Sequence, residues 1–237
     1  MVGHHGGVVY RERATRTPGG LIWTQGTSAA LRRSLILPDG CMDLIWDGRA
    51  IFVAGPDATA RWHEAAPGTA YVGLRLTHGL GARALGVRAD QLVGERVDIA
   101  DLWPDRIANP LLDQVCVDPV AAFDRWLSDR TREVEVDRSA ARIFQLARRG
   151  NGPAEIARAL GVPAKRLHRQ CVTTFGYGPK RLGRILRLER AVATARADVG
   201  FSRVAAECGY SDQPHLSREV RDLTGLTLTE LVPGPAS

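Results

Sequence analysis

The C-terminal half of the chain contains the same spacing of residues twice, and this repeat restricts the possible folds more than any other feature. Each copy has an Ala, a Gly four positions later, and then a Leu and an Arg two positions apart. These residues are Ala157, Gly161, Leu167 and Arg169 in the first copy, and Ala205, Gly209, Leu216 and Arg218 in the second. A small residue where two helices cross and a Gly in the turn between them are features of a helix-turn-helix. The repeat therefore predicts two helix-turn-helix units, the second with a turn one residue longer because the spacing between copies increases from 48 to 49.

The positive charge of the chain is concentrated in the same half. The formal net charge of the 237 residues is +6, but residues 1–136 contain 15 basic and 17 acidic residues, whereas residues 137–237 contain 17 basic and 9 acidic residues. A basic half beside a slightly acidic half indicates that the C-terminal half binds a polyanion. Two helix-turn-helix units joined by a basic helix favour duplex DNA. Composition alone leaves open a solvated charged face.

Length and composition are typical of a globular protein with two domains. The content of hydrophobic residues, 44%, is sufficient for two cores. The apolar runs are short and broken by charges, and the first seven residues lack a signal-peptide pattern, so we expect a cytoplasmic protein without a membrane span. The four cysteines form no C-x-x-C pair, which predicts reduced thiols rather than disulfides or a zinc site.

The first 136 residues have the pattern of a β-rich domain. Short apolar runs between turn residues predict strands over 21–23, 35–37, 42–46, 51–54 and 71–76. Asp47-Gly48 fits a tight hairpin between two of these strands. From Gly79 onward the apolar spacing becomes helical. The sequence therefore predicts an α+β protein, with a β-rich domain over 1–136 backed by helices and an all-α domain over 137–237.

The capping residues of the C-terminal half predict seven helices. Helix starts are expected at Asp137, Pro153, Pro163 and Pro179, and helix ends at Gly150 and Gly225. Ser202 and Asp212 are expected to cap the two helices of the second unit, and Thr227 with Glu230 forms a capping box for a final helix. A connector from Pro179 to about Arg196 carries an apolar stripe and spans roughly 27 Å at ~1.5 Å per residue.

Several short motifs carry a resemblance to a known family. They are Ala-Glu-Ile-Ala at 154–157, Leu-His-Arg at 167–169, Phe-Gly-Tyr-Gly-Pro at 175–179, Arg-Leu-Glu-Arg-Ala at 187–191 and Gly-Tyr-Ser-Asp-Gln at 209–213. In these motifs residues 138–231 resemble the AraC/XylS family of bacterial transcription regulators. Residues 37–46 and 53–57 resemble an uncharacterised sensor-like domain found upstream of such DNA-binding domains. The resemblance implies double-stranded DNA, RNA polymerase and a small-molecule effector as partners, and it leaves open a homodimer.

The helical period separates buried from DNA-facing positions in the two recognition helices. The inward positions are Leu167, Cys171, Leu216 and Val220. We expect Arg169, Arg218 and Gln213 to read bases, because Arg binds guanine O6 and N7 with two hydrogen bonds and Gln pairs likewise with adenine. Further DNA contacts are expected from Lys165, His168 and Ser217 at outward positions, and phosphate contacts from Arg166, Arg181, Arg184 and the helix start at Ser202. A solvated or ion-paired side chain is the alternative for any single Arg.

Candidates for an effector pocket in the first domain are aromatic residues with charged neighbours. Trp46, Trp62 and Tyr71 are expected to line it, with Asp57 and Arg75 as polar anchors. The alternative for these aromatic residues is ordinary core packing.

Two enzymatic or metal-dependent proteins are the alternatives to a transcription regulator. A cupin-like metalloenzyme tethered to DNA would need ligands such as His63 and His78, but they lie 15 residues apart without a ligand-like spacing. A repair regulator could use Cys41 as a methyl acceptor, but Asp39 and Asp43 nearby would raise the pKa of its thiol. We therefore expect a ligand-responsive regulator with no catalytic residues, metal or cofactor.

Overall fold

The N-terminal part is built around one antiparallel sheet. The computed structural model of the chain describes residues 4–5, 8–26, 28, 30–77, 79–133, 138–197 and 200–232. The strands are β1 (His4–His5), β2 (Val8–Ala14), β3 (Gly20–Gln25), β4 (Arg32–Ile36), β5 (Met42–Trp46), β6 (Ile51–Ala54), β7 (Arg61–Ala65), β8 (Tyr71–Leu76) and β9 (Arg96–Asp98). The order in the main sheet is β1-β2-β3-β8-β5-β6-β9, and β4 pairs with β7 in a separate two-stranded ribbon.

The two faces of the sheet are covered by different elements. Alternate residues of a strand point to opposite faces, so Leu74 lies in the core beneath the helices while Tyr71 lies on the other face. On that second face Trp23, Phe52 and Tyr71 pack together with Ala65 of the ribbon. The helices that cover the first face are α1 (Leu80–Leu85), α2 (Ile99–Leu102), α3 (Asp105–Val117) and α4 (Pro119–Glu133), and a short 3-10 turn spans Ala89–Gln91.

The predicted α+β fold class is confirmed, and the predicted strands are confirmed with one shift. The expected strand at 35–37 is β4 and begins earlier, at Arg32. The hairpin at Asp47-Gly48 is confirmed: Trp46 pairs with Ile51, and the Asp47 carboxylate accepts hydrogen bonds from the N–H groups of Arg49 and Ala50. Strands β1, β2, β7 and β9 were not predicted. Charged residues occupy many of their positions, which hides the period-two alternation of a strand.

The C-terminal part is helical throughout its described residues. Its helices are α5 (Arg138–Arg148), α6 (Pro153–Leu160), α7 (Ala164–Phe175), α8 (Pro179–Ala195), α9 (Phe201–Cys208), α10 (Gln213–Thr224) and α11 (Leu228–Leu231). The expected seven helices are confirmed in this region, and so are the connector α8, the Asp212 cap and the capping box at Thr227. One cap is wrong: Gly200, not Ser202, is the N-cap of α9, so Ser202 lies inside the helix. The predicted cap Asp137 and the domain boundary at 136/137 lie outside the described residues.

The two parts of the chain pack against each other at the end of α7. A Cβ added to Gly79 would lie 2.8 Å from Phe175, the last residue of α7. A Cβ added to Gly40 would lie 3.6 Å from the Tyr177 hydroxyl, between α7 and α8. Phe175 and Tyr177 both belong to the core of the C-terminal part, so the N-terminal part rests directly on that core. None of the helices in the described ranges is long and apolar enough to cross a membrane.

Candidate nucleic-acid interface

The first recognition helix, α7, follows a turn that the sequence specifies. Gly161 ends α6 in the left-handed conformation, with φ at 64°, which a residue with a side chain adopts at a cost. The next helix buries Leu167 and Cys171 as predicted. Four residues from the first two turns of α7 are exposed: Lys165, Arg166, His168 and Arg169. The side chains proposed to contact DNA on α7 are therefore accessible, although the His168 ring also packs over Gly178.

Beside α7 lies an open depression of about 480 Å³. It is lined by Ser139, Leu160, Val162, Arg166, Arg169, Gln170 and Thr173. The guanidinium groups of Arg166 and Arg169 form no hydrogen bond or ion pair within the described part of the chain. Unpaired guanidinium groups at the rim of a recognition helix are suited to phosphate oxygens and to guanine.

The second recognition helix, α10, repeats this construction. Gly209 ends α9 with φ at 78°, and the Asp212 carboxylate accepts a hydrogen bond of 2.6 Å from the His215 N–H at the start of α10. Leu216 and Val220 are buried as predicted. Gln213, Ser217 and Arg218 are exposed. The Ser202 hydroxyl donates a hydrogen bond of 3.0 Å to Gln213 Oε1, so Ser202 contacts a proposed base reader instead of capping its own helix.

Two arginines expected to hold phosphates have protein partners instead. The Arg184 guanidinium pairs with Glu219 at 3.0 Å and with Asp222 at 2.8 Å. Arg181 Nη2 donates to the backbone carbonyl of Ala58 at 2.6 Å. The connector α8 turns Arg184 toward α10 and Arg181 toward the N-terminal part, and a phosphate contact by either side chain stays a prediction.

An ionic cluster around the buried Glu219 carboxylate, between α8 and α10, was not predicted, and we call it the Glu219 cluster. It consists of Glu219 with Arg184 and Arg187. Arg187 Nη2 lies 2.7 Å from each oxygen of the Glu219 carboxylate, and Arg187 Nε lies 2.9 Å from Oε1. The available signal was the inward stripe of α10, on which Glu219 falls beside Leu216 and Val220. A carboxylate on a buried stripe requires a cationic partner.

The five predicted effector residues do not form one site. Tyr71 and Arg75 share the sheet face that the ribbon covers, whereas Trp46 packs with the core on the opposite face. Trp62 is 48% exposed on the ribbon, and Asp57 is paired with Arg61 at 2.9 Å. The sequence could not assign these residues to different surfaces. Whether a strand residue faces the helices or the ribbon depends on which elements cover each face of the sheet.

Arg75 lies among three carboxylates on that face. Its guanidinium is 3.4 Å from Asp39, 3.5 Å from Asp43 and 3.8 Å from Glu12. Asp43 also accepts a hydrogen bond of 2.7 Å from the Trp23 indole, while burial raises the pKa of its carboxyl group. Burial, and then Asp39, raise the pKa of the Cys41 thiol well above its ordinary value, which suppresses the reactive thiolate. In the described ranges no group of three or more His, Cys, Asp or Glu side chains is placed to hold a metal ion.

The helix-turn-helix assignment agrees with a family that matches the chain. A protein family described as "Helix-turn-helix domain" matches residues 156–232. A search of curated proteins found no matching sequence. Among solved structures, the chain is similar to ToxT from Vibrio cholerae O395, with 10% identity, 90% of this chain and 99% of that chain covered, and a TM-score of 0.48. It is also similar to unsaturated fatty acid bound ToxT from Vibrio cholerae strain SCE256, with 9% identity, 95% and 99% covered, and a TM-score of 0.48.

The two recognition helices on one connector define a sequence-specific DNA-binding protein. The match over 156–232 begins within α6 and extends past α10, so it covers nearly all of both units. These residues form an AraC-type helix-turn-helix domain, and the chain is a DNA-binding transcription regulator.

Proposed function

We propose that a small-molecule effector, bound by an N-terminal domain over residues 1–136, controls DNA binding by a C-terminal domain over 137–237. The observation that carries this proposal is the loop between β6 and β7, residues 55–60, which reaches the elements that place both recognition helices. A ligand that changes the position of this loop would change both units together.

Pro56, Ala58 and Ala60 of the β6–β7 loop contact the C-terminal part, and the Ala58 side chain also packs on its core. A Cβ added to Gly176, directly after α7, would lie 2.8 Å from Pro56. The Ala58 carbonyl accepts the hydrogen bonds of Arg181 at the start of α8. The Ala60 N–H donates a hydrogen bond of 2.7 Å to the Leu223 carbonyl in the last turn of α10. One segment of six residues therefore meets both recognition helices and their connector.

We place the effector contacts on the sheet face beneath the ribbon. Tyr71 offers an aromatic surface there, and Arg75 is a cation of the same face. Both β6 and β7, which hold the ends of the β6–β7 loop, border this face: Phe52 of β6 and Ala65 of β7 pack with Tyr71. A ligand that displaces these strands would also displace the β6–β7 loop, because the loop joins them.

We also propose that the protein is not an enzyme, and that RNA polymerase and a second copy of the chain are its protein partners. The strongest nucleophile candidate, Cys41, is buried, and its raised pKa opposes thiolate formation. The family resemblance of residues 138–231 supports the protein partners.

The proposal is tested by the DNA affinity of the full chain with and without effector. A duplex selected from a random library by the full-length protein serves as the binding site. Compounds that raise the melting temperature of the protein are the effector candidates. We expect such a compound to change the Kd for the duplex by about 5- to 150-fold. Arg181→Met should reduce this change, because it removes the contact with Ala58, whereas Lys180→Met on the exposed neighbour should not. A compound that binds without changing the Kd contradicts the proposal.

A further inference from the structure

The Glu219 cluster joins the second recognition helix to the connector through directional contacts. The Glu219 side chain is only 6% exposed and accepts four hydrogen bonds, one from Arg184 and three from Arg187. Contacts of this bidentate kind fix the angle and the distance between the two groups. The apolar contacts of Leu216 and Val220 on the same stripe are not directional. The carboxylate therefore adds a directional restraint on the rotation of α10 about its own axis.

The same arginine also reaches the turn in front of the recognition helix. Arg187 Nη1 lies 3.4 Å from the carbonyl oxygen of Gly209, and its guanidinium carbon lies 4.5 Å from the centre of the Tyr210 ring. The turn continues into Asp212, which caps α10. The cluster thus holds α10 from its middle and from the turn that precedes it.

Base-facing residues lie next to Glu219 along the helix. Arg218 is its immediate neighbour and Ser217 is two positions away, and both are exposed while Glu219 is buried. A rotation of α10 that moved the Glu219 carboxylate would also move Arg218 away from the base edge that it is proposed to read. Reading of a base by two hydrogen bonds tolerates little displacement.

We propose that Glu219 is the positioning residue for base reading by the second recognition helix, acting through Arg184 and Arg187. This inference rests on the proposed assignment of Gln213, Ser217 and Arg218 as DNA contacts. Glu219 itself touches no DNA. Its role is to hold the reading face of α10 at one orientation relative to the connector.

The test compares discrimination at the two DNA segments in the full-length protein. Segments are assigned on the selected duplex by the positions at which Arg169→Ala and Arg218→Ala lose specificity, and each segment is then scrambled in turn. For Glu219→Gln we expect discrimination at the second segment to fall about tenfold or more. Discrimination at the first segment, and the Kd on fully scrambled duplex, should stay within about twofold.

Val220→Ala is the matched control for a purely structural effect. Val220 is fully buried beside Glu219 and takes no part in the ionic cluster. Its truncation should lower the melting temperature without changing the discrimination ratio at either segment. If Glu219→Gln also lowers the melting temperature and leaves both ratios unchanged, the positioning role is overturned.

Two further variants keep the test decisive. Arg187→Lys retains the charge but loses the paired contacts, so it should reproduce the selective loss even if Glu219→Gln does not fold. Full discrimination at the second segment in folded Arg187→Lys would overturn the proposal. If Arg218→Ala has no effect on any segment, the assignment of base reading to α10 fails, which is a different failure from that of the positioning role.

Discussion

The two recognition helices share an inward pattern but differ in the charges around it. α7 carries Lys165, Arg166 and Arg169 and no acidic residue. α10 carries two arginines, Arg218 and Arg221, together with Glu219 and Asp222. The first helix therefore has a net charge of +3, whereas α10 has a net charge of zero, and its two carboxylates pair with Arg184 and Arg187 of α8.

The polar contact that holds each recognition helix against the preceding helix shows the same difference. In the first unit the Gln170 amide donates a hydrogen bond to the Ser139 hydroxyl of α5. The position 49 residues later is Glu219, bound to two arginines of α8. Each unit holds its recognition helix on the preceding long helix at the same place, once with neutral groups and once with an ion cluster. From this comparison we infer that the first unit provides most of the phosphate attraction and the second provides mainly base reading.

The largest expected effect comes from separating the two DNA segments. α8 has 17 residues, which at ~1.5 Å per residue is roughly 26 Å, so the two helices should read major-groove segments ~10 bp apart. Inserting ~5 bp between the segments turns one to the far face and should cost at least about 4 kcal/mol, since each unread base pair costs ~1–3 kcal/mol. Inserting ~10 bp should not fully restore affinity, because a helix cannot stretch. Titration of the duplex series measures this, and equal affinity throughout would show that one unit alone reads DNA.

Substitution of a single base-reading arginine should have a smaller effect than the insertion, and the effect should be of similar size in the two units. Arg169→Ala and Arg218→Ala should each cost about 1–3 kcal/mol on the selected duplex and little on random DNA. Because α7 has more unopposed charge, Arg169→Ala should also weaken binding to random DNA slightly, and Arg218→Ala less. Parallel titrations on both duplexes measure these differences, and equal losses on both DNAs would argue against base reading.

The smallest expected effect separates arginines that meet phosphate from those that meet protein. Arg166→Ala should reduce the slope of log K against log salt by about 0.9, the value for one phosphate contact. Arg181→Ala should leave this slope unchanged, since its guanidinium is bound to the Ala58 carbonyl. Binding measured at several salt concentrations decides the matter. A reduced slope for Arg181→Ala would restore its original assignment as a phosphate contact.

Local sequence rules were sufficient for the helical half. The period of an α-helix predicted the burial of Leu167, Cys171, Leu216 and Val220, and all four are buried. The Asp212 cap and the glycine turns were predictable because each depends on a few neighbouring residues. Ser202 was misassigned because Gly200, two residues earlier, occupies the cap instead.

Contacts between distant residues could not be predicted in this way. Glu219 lies 35 residues after Arg184, and no local rule indicates that the connector turns this arginine inward. The partner of Arg181 is a backbone carbonyl 123 residues earlier, which has no signature in the sequence. In the N-terminal part the effector residues were scattered over different faces for the same reason.

The contacts of the β6–β7 loop have a consequence for how this type of chain can evolve. At Ala58 and Ala60 the loop offers a main-chain oxygen and a main-chain N–H, and neither side chain takes part in the hydrogen bonds. Every amino acid except proline provides both groups. The hydrogen bonds therefore do not depend on which side chain stands at either position. The Ala58 side chain does pack on the core of the C-terminal part, so position 58 should keep a small apolar residue. Position 60 has no such restriction apart from proline, so descendants could exchange one sensing module for another and keep this connection to DNA, while an alignment of their sequences would show little preserved at position 60.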